Sequence, residues 1–337
     1  MDKIQVGIVG CGSIFPMHAY SLEHIKGTEI VAVCDTIEER AKQKAREFGC
    51  DFFTDYHQMI SNKKLDCVHI LTPHYLHCEM AVSALMRGVN VICEKPMGIH
   101  PEDGDRMVEA AKKSGAKLGI IFQNRYNAGS VLAKEELLSG SLGRVLGGKV
   151  VVAWERTEEY YAQDAWRGTL DQEGGGVIIN QAIHSLDLAR WLVGDEVAKV
   201  DATVNNYCHP SIEVEDQSSG VITFQNGVRI CYFATNNLSF SDEVEITIHC
   251  EKGIIKIKGP DAVIKYFDGS PEKKSVKMKH DIDFGDDAKN VWGIGHYNQL
   301  SAWYHALQKG EEDDSAEEGL KTHRMIMKIY QASRGEQ

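Results

Sequence analysis

The chain has 337 residues, too many for one ordinary hydrophobic core, so two domains are expected. A formal charge of −12 excludes the basic stripe that a nucleic-acid partner needs, and no apolar run approaches the ~18 residues of a membrane span. Nine scattered cysteines without a Cys-x-x-Cys pair argue for reduced thiols over disulfides or a metal site, and the first residues carry no signal-peptide pattern, so the expected location is cytoplasmic.

Residues 4–9 and 29–35 read as strands, joined by a segment that opens with glycines and has room for one helix. Residues 37–48 are charged and helical; 67–72, 89–94 and 117–122 are strands, separated by helices over 76–87 and 101–114. Alternation of this kind predicts a parallel sheet with helices on both faces. The pattern changes after Gln123. A helix over 130–138, a strand-like run over 144–154 and a helix over 177–193 precede strands at 197–207, 217–224, 228–234, 244–250, 253–258 and 262–267. Asn226-Gly227 and Lys252-Gly253 are hairpin turns, which predicts an antiparallel sheet, and the chain turns helical again from about residue 290. The expected architecture is an α/β dinucleotide-binding domain over 1–123 and an α+β domain over 124–337.

Gly10 and Gly12, followed by Ser13 and Ile14, end the first strand and open a helix. Gly10 allows a tight turn there, and Gly12 lets a pyrophosphate approach the helix N-terminus. Phe15 stands where a third glycine is usual. Asp35 ends the second strand, where a carboxylate can hold the adenosine ribose and repel a 2′-phosphate; its other reading is a helix cap before Ile37. This favours NAD, while Arg40 leaves room for NADP. Two later strands end in Thr72-Pro73-His74-Tyr75-Leu76-His77 and Glu94-Lys95-Pro96. Ligands bind at such carboxyl ends. A lysine directly after Val91-Ile92-Cys93 should be partly buried, and could stabilise alkoxide character on a substrate oxygen; otherwise it is a surface lysine on a turn. In the second domain, Trp166-Arg167 is followed by three glycines and a helix on which Asn180, His184 and Asp187 share one face. His184 is either an acid/base group or a structural histidine.

These pieces, in this order, resemble the glucose–fructose oxidoreductase/inositol dehydrogenase family, Gfo/Idh/MocA. The resemblance spans nearly the whole chain. It implies a Rossmann domain followed by a substrate domain on a large, mostly antiparallel sheet through which homodimers or homotetramers form. It also implies that Lys95 binds the reacting hydroxyl and His184 is the acid/base. Gly10, Gly12, Ser13, Ile14, Asp35, Thr72, Pro73, His77, Glu94, Lys95 and Gln123 would line the cofactor, with Trp166 and Arg167 closing over it. Arg125, Trp166, Asn180 and Tyr297 would face the substrate, and Tyr160 or Tyr161 could stack on a sugar ring. Many members carry an aspartate where this chain has Asn180, which leaves the proton chemistry to His184.

The expected function is NAD-dependent hydride transfer to or from a secondary hydroxyl or ketone of a sugar, sugar derivative or cyclitol, with the Lys95 ammonium and the His184 imidazole meeting at the reactive end of the dinucleotide. Its rivals are an NAD-dependent glycosidase or lyase using transient oxidation, and a non-catalytic NAD sensor. Sugar specificity is assigned to the loops over 153–170 and 236–242.

Overall fold

A computed structural model describes residues 3–276, 281–284 and 287–335. The first strands are β1 (Ile4–Val9), β2 (Thr28–Cys34), β3 (Asp51–Phe53), β4 (Cys67–Ile70), β5 (Asn90–Cys93) and β6 (Leu118–Ile120), with helices α1 (Phe15–His24), α2 (Glu38–Phe48), α3 (Tyr56–Asn62), α4 (His77–Leu85) and α5 (Asp103–Ser114) among them. All six strands pair in parallel in the order β3-β2-β1-β4-β5-β6, the Rossmann arrangement. Their runs are apolar because helices cover both faces: Val6, Ile8, Val33, Val68, Ile70, Val91 and Ile92 are buried.

There follow α6 (Ala128–Leu138), β7 (Val145–Ala153), α7 (Glu158–Ala162), a π turn at Ile178–Ala182, α8 (Ile183–Val193), β8 (Val197–Asn205), β9 (Gln217–Phe224), β10 (Arg229–Thr235), β11 (Glu245–Cys250), β12 (Gly253–Lys258), β13 (Asp261–Tyr266) and β14 (Lys273–Lys274), then α9 (Asp287–Lys309) and α10 (Ser315–Ser333). The eight later strands form one sheet in the order β14-β13-β12-β11-β7-β10-β9-β8. Every pair is antiparallel except β10 with β7. From Arg229 to Ala234 of β10 burial alternates residue by residue, so one face of the sheet is packed and the other open there.

The chain forms two compact units: Met1–Gly98, Glu102–Gln123 and His280–Leu320 make the first, and Ile99–Pro101, Asn124–Lys279 and Lys321–Gln337 the second. This corrects the continuous second domain expected over 124–337. The reason is apolar: Leu300, Trp303 and Tyr304 of α9 join Val6, Ile8, Phe15 and Ala19 in the core of the first unit. The tail is helical as read from the sequence, but its buried stripe completes the Rossmann core. A second correction concerns the helix expected over 177–193. Its first turn is π-type, which breaks the regular spacing between Asn180 and His184.

Candidate active site

In the first unit, backbone bonds carry the sheet pattern past the strand ends: Gly10 N to Cys34 O at 2.8 Å, Leu71 N to Val9 O at 2.8 Å and Glu94 N to Ile70 O at 3.0 Å. The Gly10–Gly12 turn, Asp35, Thr72, Pro73 and Lys95 therefore share the carboxyl edge of the sheet. Gly10 has φ +93°, and a Cβ there would lie 2.5 Å from the Leu71 carbonyl oxygen. Beside Gly12 a Cβ would meet nothing within 4 Å, so space is open where a pyrophosphate would approach. Ser13 is exposed and Ile14 precedes α1, which no side chain caps; Phe15 N and Met17 N donate to Gly12 O at 3.2 Å and Ile14 O at 3.1 Å, and Pro16 has no N–H, so an anion would be met by the turn ahead of the helix.

Asp35 is half-buried, with Oδ2 accepting from Cys11 N at 2.9 Å and Oδ1 from Ile37 N at 2.8 Å. It thus fixes the glycine turn and makes an Asx turn before α2, and each oxygen retains acceptor capacity. Arg40 is exposed on α2. Among the described residues, Gln123 Oε1 is buried with no hydrogen-bond partner. An open glycine turn and an orphan acceptor together fit a dinucleotide.

Lys95 is half-buried, as the apolar run before it requires, and the Lys95–Pro96 peptide is cis. Two of its expected neighbours at the cofactor are spent elsewhere. His77 is buried, with Nδ1 2.7 Å from Pro96 O and Nε2 2.8 Å from Thr72 O. The ring thus lies between the loop after β4 and the loop after β5, a neutral imidazole donating to one of the two carbonyls; burial pushes its pKa down, against the opposing effect of the carbonyls.

Glu94 is likewise buried. Its Oε1 lies 3.0 Å from His18 Nε2 and 3.2 Å from His296 Nε2, and these imidazoles hold the carboxyl well below the usual range against the opposing effect of burial. The carboxylate sets the direction of a longer chain. His18 Nε2–H donates to it, so His18 Nδ1 accepts from His69 Nδ1–H at 2.8 Å, and His69 Nε2 accepts from the Tyr304 hydroxyl at 2.8 Å. Burial lowers the pKa of both His18 and His69 and raises that of Tyr304, in agreement with neutral imidazoles and a protonated phenol. The ligand atoms of His18, Glu94 and His296 lie within 4.8 Å of one another, and the hydrogen-bond chain satisfies all three without an ion. Sequence reading singled out Glu94 but not the chain it anchors, since nothing local links it to His69, His296 and Tyr304. Tyr297, expected to face substrate, is half-buried against the apolar clusters of the first unit.

In the second unit, the π turn carries Asn180 and α8 carries His184 at its second position, both half-buried. Asp187 does not continue their polar stripe. It is fully buried and bonded to Arg125, with Nε to Oδ2 at 2.8 Å and Nη2 to Oδ1 at 2.5 Å, and to Thr322 of α10. Arg125, expected to face substrate, is 7% exposed and committed to that pair.

Asn180 Nδ2 donates to Glu173 Oε1 at 2.5 Å, and Glu173 Oε2 accepts from Gly168 N at 2.5 Å. Burial raises the Glu173 pKa. Glu215, also buried and raised, accepts from Gly176 N at 2.8 Å, Ile178 N at 3.0 Å and the Tyr330 hydroxyl at 2.9 Å, anchoring the start of the π turn. Neither glutamate was singled out from the sequence. The only local signal is the position of Glu173 just before the triple glycine. Trp166 and Arg167 are half-buried, with the Arg167 guanidinium over the Trp166 and Tyr160 rings. Tyr161 is buried, and Tyr160 is half-buried.

Two family models match this chain. One, an oxidoreductase family with an NAD-binding Rossmann fold, matches residues 4–122, and the other, the Gfo/Idh/MocA C-terminal domain, matches residues 131–256. An inositol 2-dehydrogenase of Rubrobacter xylanophilus is 27% identical over 314 residues, covering 92% of this chain and 84% of its own. A 1,5-anhydro-D-fructose reductase of Ensifer adhaerens is 28% identical over 223 residues, 66% of each chain. The crystal structure of the WlbA dehydrogenase of Bordetella pertussis, in complex with NADH and UDP-GlcNAcA, is 30% identical with a TM-score of 0.85, covering 98% of this chain and 97% of its own. The chain belongs to the Gfo/Idh/MocA family of oxidoreductases, whose first domain is an NAD-binding Rossmann fold.

Proposed function

We propose that this protein uses NAD to move a hydride between nicotinamide and a secondary hydroxyl or ketone of a sugar, sugar derivative or cyclitol. The observation that carries this reading is the carboxyl edge of the parallel sheet, where the open Gly10–Gly12 turn, Asp35 and the half-buried Lys95 lie together. The names of the relatives, which include a cyclitol dehydrogenase and an anhydrosugar reductase, support the substrate class.

Gly10, Gly12, Ser13 and Ile14 would hold the pyrophosphate against the start of α1, Asp35 the adenosine ribose, and Thr72, Pro73 and Gln123 the nicotinamide end. The Asp35 carboxylate supports NAD over NADP, because a 2′-phosphate would meet a fixed negative charge. NAD supplies the hydride acceptor. Lys95 holds the substrate oxygen and the negative charge that grows on it, while His184 takes the hydroxyl proton. An imidazole titrates near neutrality, which suits that exchange. Asn180, fixed by Glu173, orients the substrate and takes no part in proton transfer.

Assembly as a homodimer or homotetramer through the second sheet belongs to the same reading, supported by Leu146 and Phe233, which its strands leave exposed. So does a cytoplasmic location, supported by nine free cysteines, two of them exposed. No helix among the described residues is long and apolar enough to cross a membrane.

The test is a panel of sugars, sugar acids and cyclitols, each incubated separately with NAD⁺ and NADP⁺ and read by reduced-nucleotide fluorescence. Steady formation of NADH with one polyol class is the expected result. Failure of every compound to reduce either nucleotide, together with no NADH binding, would remove the proposal.

A further inference from the structure

The segment after β7 carries a ladder of rings and guanidinium groups that hydride transfer leaves unused. Arg156 Cζ lies 5.0 Å from the centroid of Trp154 and 4.9 Å from that of Tyr160; Arg167 Cζ lies 4.5 Å from Tyr160 and 4.8 Å from Trp166. Two cations therefore share one phenol ring, with an indole beyond each. Stacking orients a guanidinium and leaves its N–H groups available at the rim.

The hydrogen bonds of this ladder run in one direction. Tyr160 Oη accepts from Arg167 Nη1 at 2.6 Å, Gln181 Nε2 at 3.1 Å and Asn180 Nδ2 at 3.4 Å. Three donors fill its acceptor capacity, and the phenolic proton is left to be donated. Arg156 spends Nη1 on the Glu155 carbonyl at 2.8 Å, its Nε is buried with no hydrogen-bond partner, and among the described residues no carboxylate lies within 4.0 Å of it. Of the acids nearby, Asp164 sits on Arg167 at 3.3 Å and Glu158 is bonded to Ser211. A group of donors with an arginine lacking a carboxylate selects a ligand atom that only accepts. A sugar hydroxyl brings a proton that would itself need an acceptor, whereas a carboxylate or phosphate oxygen does not.

We propose that Arg156, with Tyr160 and the flanking indoles, is the recognition site for a negatively charged substituent on the sugar, so that the substrate is an anionic sugar and Arg156 determines that specificity. The inference rests on the dehydrogenase reading above. Tyr160 ties the ladder to Asn180, on the turn that leads into the helix bearing His184, which places the anion beside the substrate rather than at the glycine turn.

The test compares neutral sugars, each with its uronic acid and its phosphate ester, in wild type, Arg156→Gln and Arg156→Lys, with NAD⁺ turnover and NADH affinity measured in parallel. The expected result is a lower KM for one anionic form than for its neutral parent. Arg156→Gln should then raise that KM about tenfold or more, with a smaller change in kcat, and Arg156→Lys should recover part of the loss. The uronate and phosphate arms identify the anion. Equal KM values for anionic and neutral forms in the wild type, an equal rise for both in Arg156→Gln, or a matching loss of NADH affinity would each overturn it. If NADH binds but nothing is turned over, equilibrium binding of the anionic sugars to the NADH complex decides, and no binding overturns the inference. Absence of both NADH binding and turnover instead fails the dehydrogenase reading beneath it.

Discussion

Arg125 and Asp187 form a buried ion pair, Nε to Oδ2 at 2.8 Å and Nη2 to Oδ1 at 2.5 Å, between the 3₁₀ turn that opens the second unit and the middle of α8. Thr322 donates to the same carboxylate, and Arg190 stands 3.8 Å away. The pair ties the helix that presents His184 to the 3₁₀ turn bearing Arg125.

Breaking that pair from one side should be costly. Asp187→Ala leaves the Arg125 charge buried without its partner, and the expected loss is about 3–5 kcal/mol. Urea unfolding checks it. A wild-type midpoint in that variant would mean the pair contributes nothing to the fold.

Gly10 and Gly12 should respond differently to one added methyl. At Gly10 the left-handed φ and the Leu71 carbonyl at 2.5 Å from a built Cβ oppose any side chain. Gly10→Ala is therefore expected to lower stability by about 1 kcal/mol or more, and NADH affinity with it. Gly12→Ala meets no protein atom, so it should keep the wild-type melting temperature while NADH affinity falls. Thermal unfolding and NADH fluorescence titration on both variants separate the two effects.

Stability should fall as pH falls through the ordinary histidine range. Burial lowers the pKa values of His18, His69 and His77 from 6.5. Below 6.5 the unfolded chain therefore binds protons that the native chain refuses. Stability then rises with pH, with a slope approaching about 1.4 kcal/mol per pH unit for each such group. Glu94 acts in the same direction in a lower window: its depressed pKa adds stability that is full above the unfolded carboxyl value of 4.5 and is lost as pH falls below it. Urea titrations above and below 6.5 test the slope, which should be shallower in His69→Leu. A slope unchanged by that substitution would count against a depressed proton affinity at His69.

His184→Ala should lower kcat by about 10²- to 10⁴-fold, the usual worth of a positioned acid/base group, with NADH affinity nearly intact. Lys95→Met should lower kcat as well, and the double variant should lose less than the product of the two single losses, since both residues would serve one proton and one oxygen. Turnover at wild-type rate in His184→Ala would withdraw that residue from the chemistry.

The legible parts of the site were those whose meaning is local. The strand that ends in Gly10, the carboxylate closing β2, and a lysine after Val91-Ile92-Cys93 each announce themselves within a few residues, and the structure puts all three at one sheet edge. His77 and Glu94 lie beside that edge as read, yet their polar atoms are taken by Thr72, Pro96, His18 and His296. Asn180, His184 and Asp187 looked like one polar stripe because α-helical spacing was assumed. The π turn and the Arg125 pair divide that stripe.

By itself, the sequence determined the alternation of strands and helices, the hairpin sheet that follows and the glycine turn, because periodicity and backbone freedom are properties of short segments. Only the tertiary structure decided which polar groups are already spent, that α9 completes the first core, and that two arginines and three rings form a ladder. Each of these depends on partners brought together by packing, and a donor or acceptor used in one contact is withdrawn from every other.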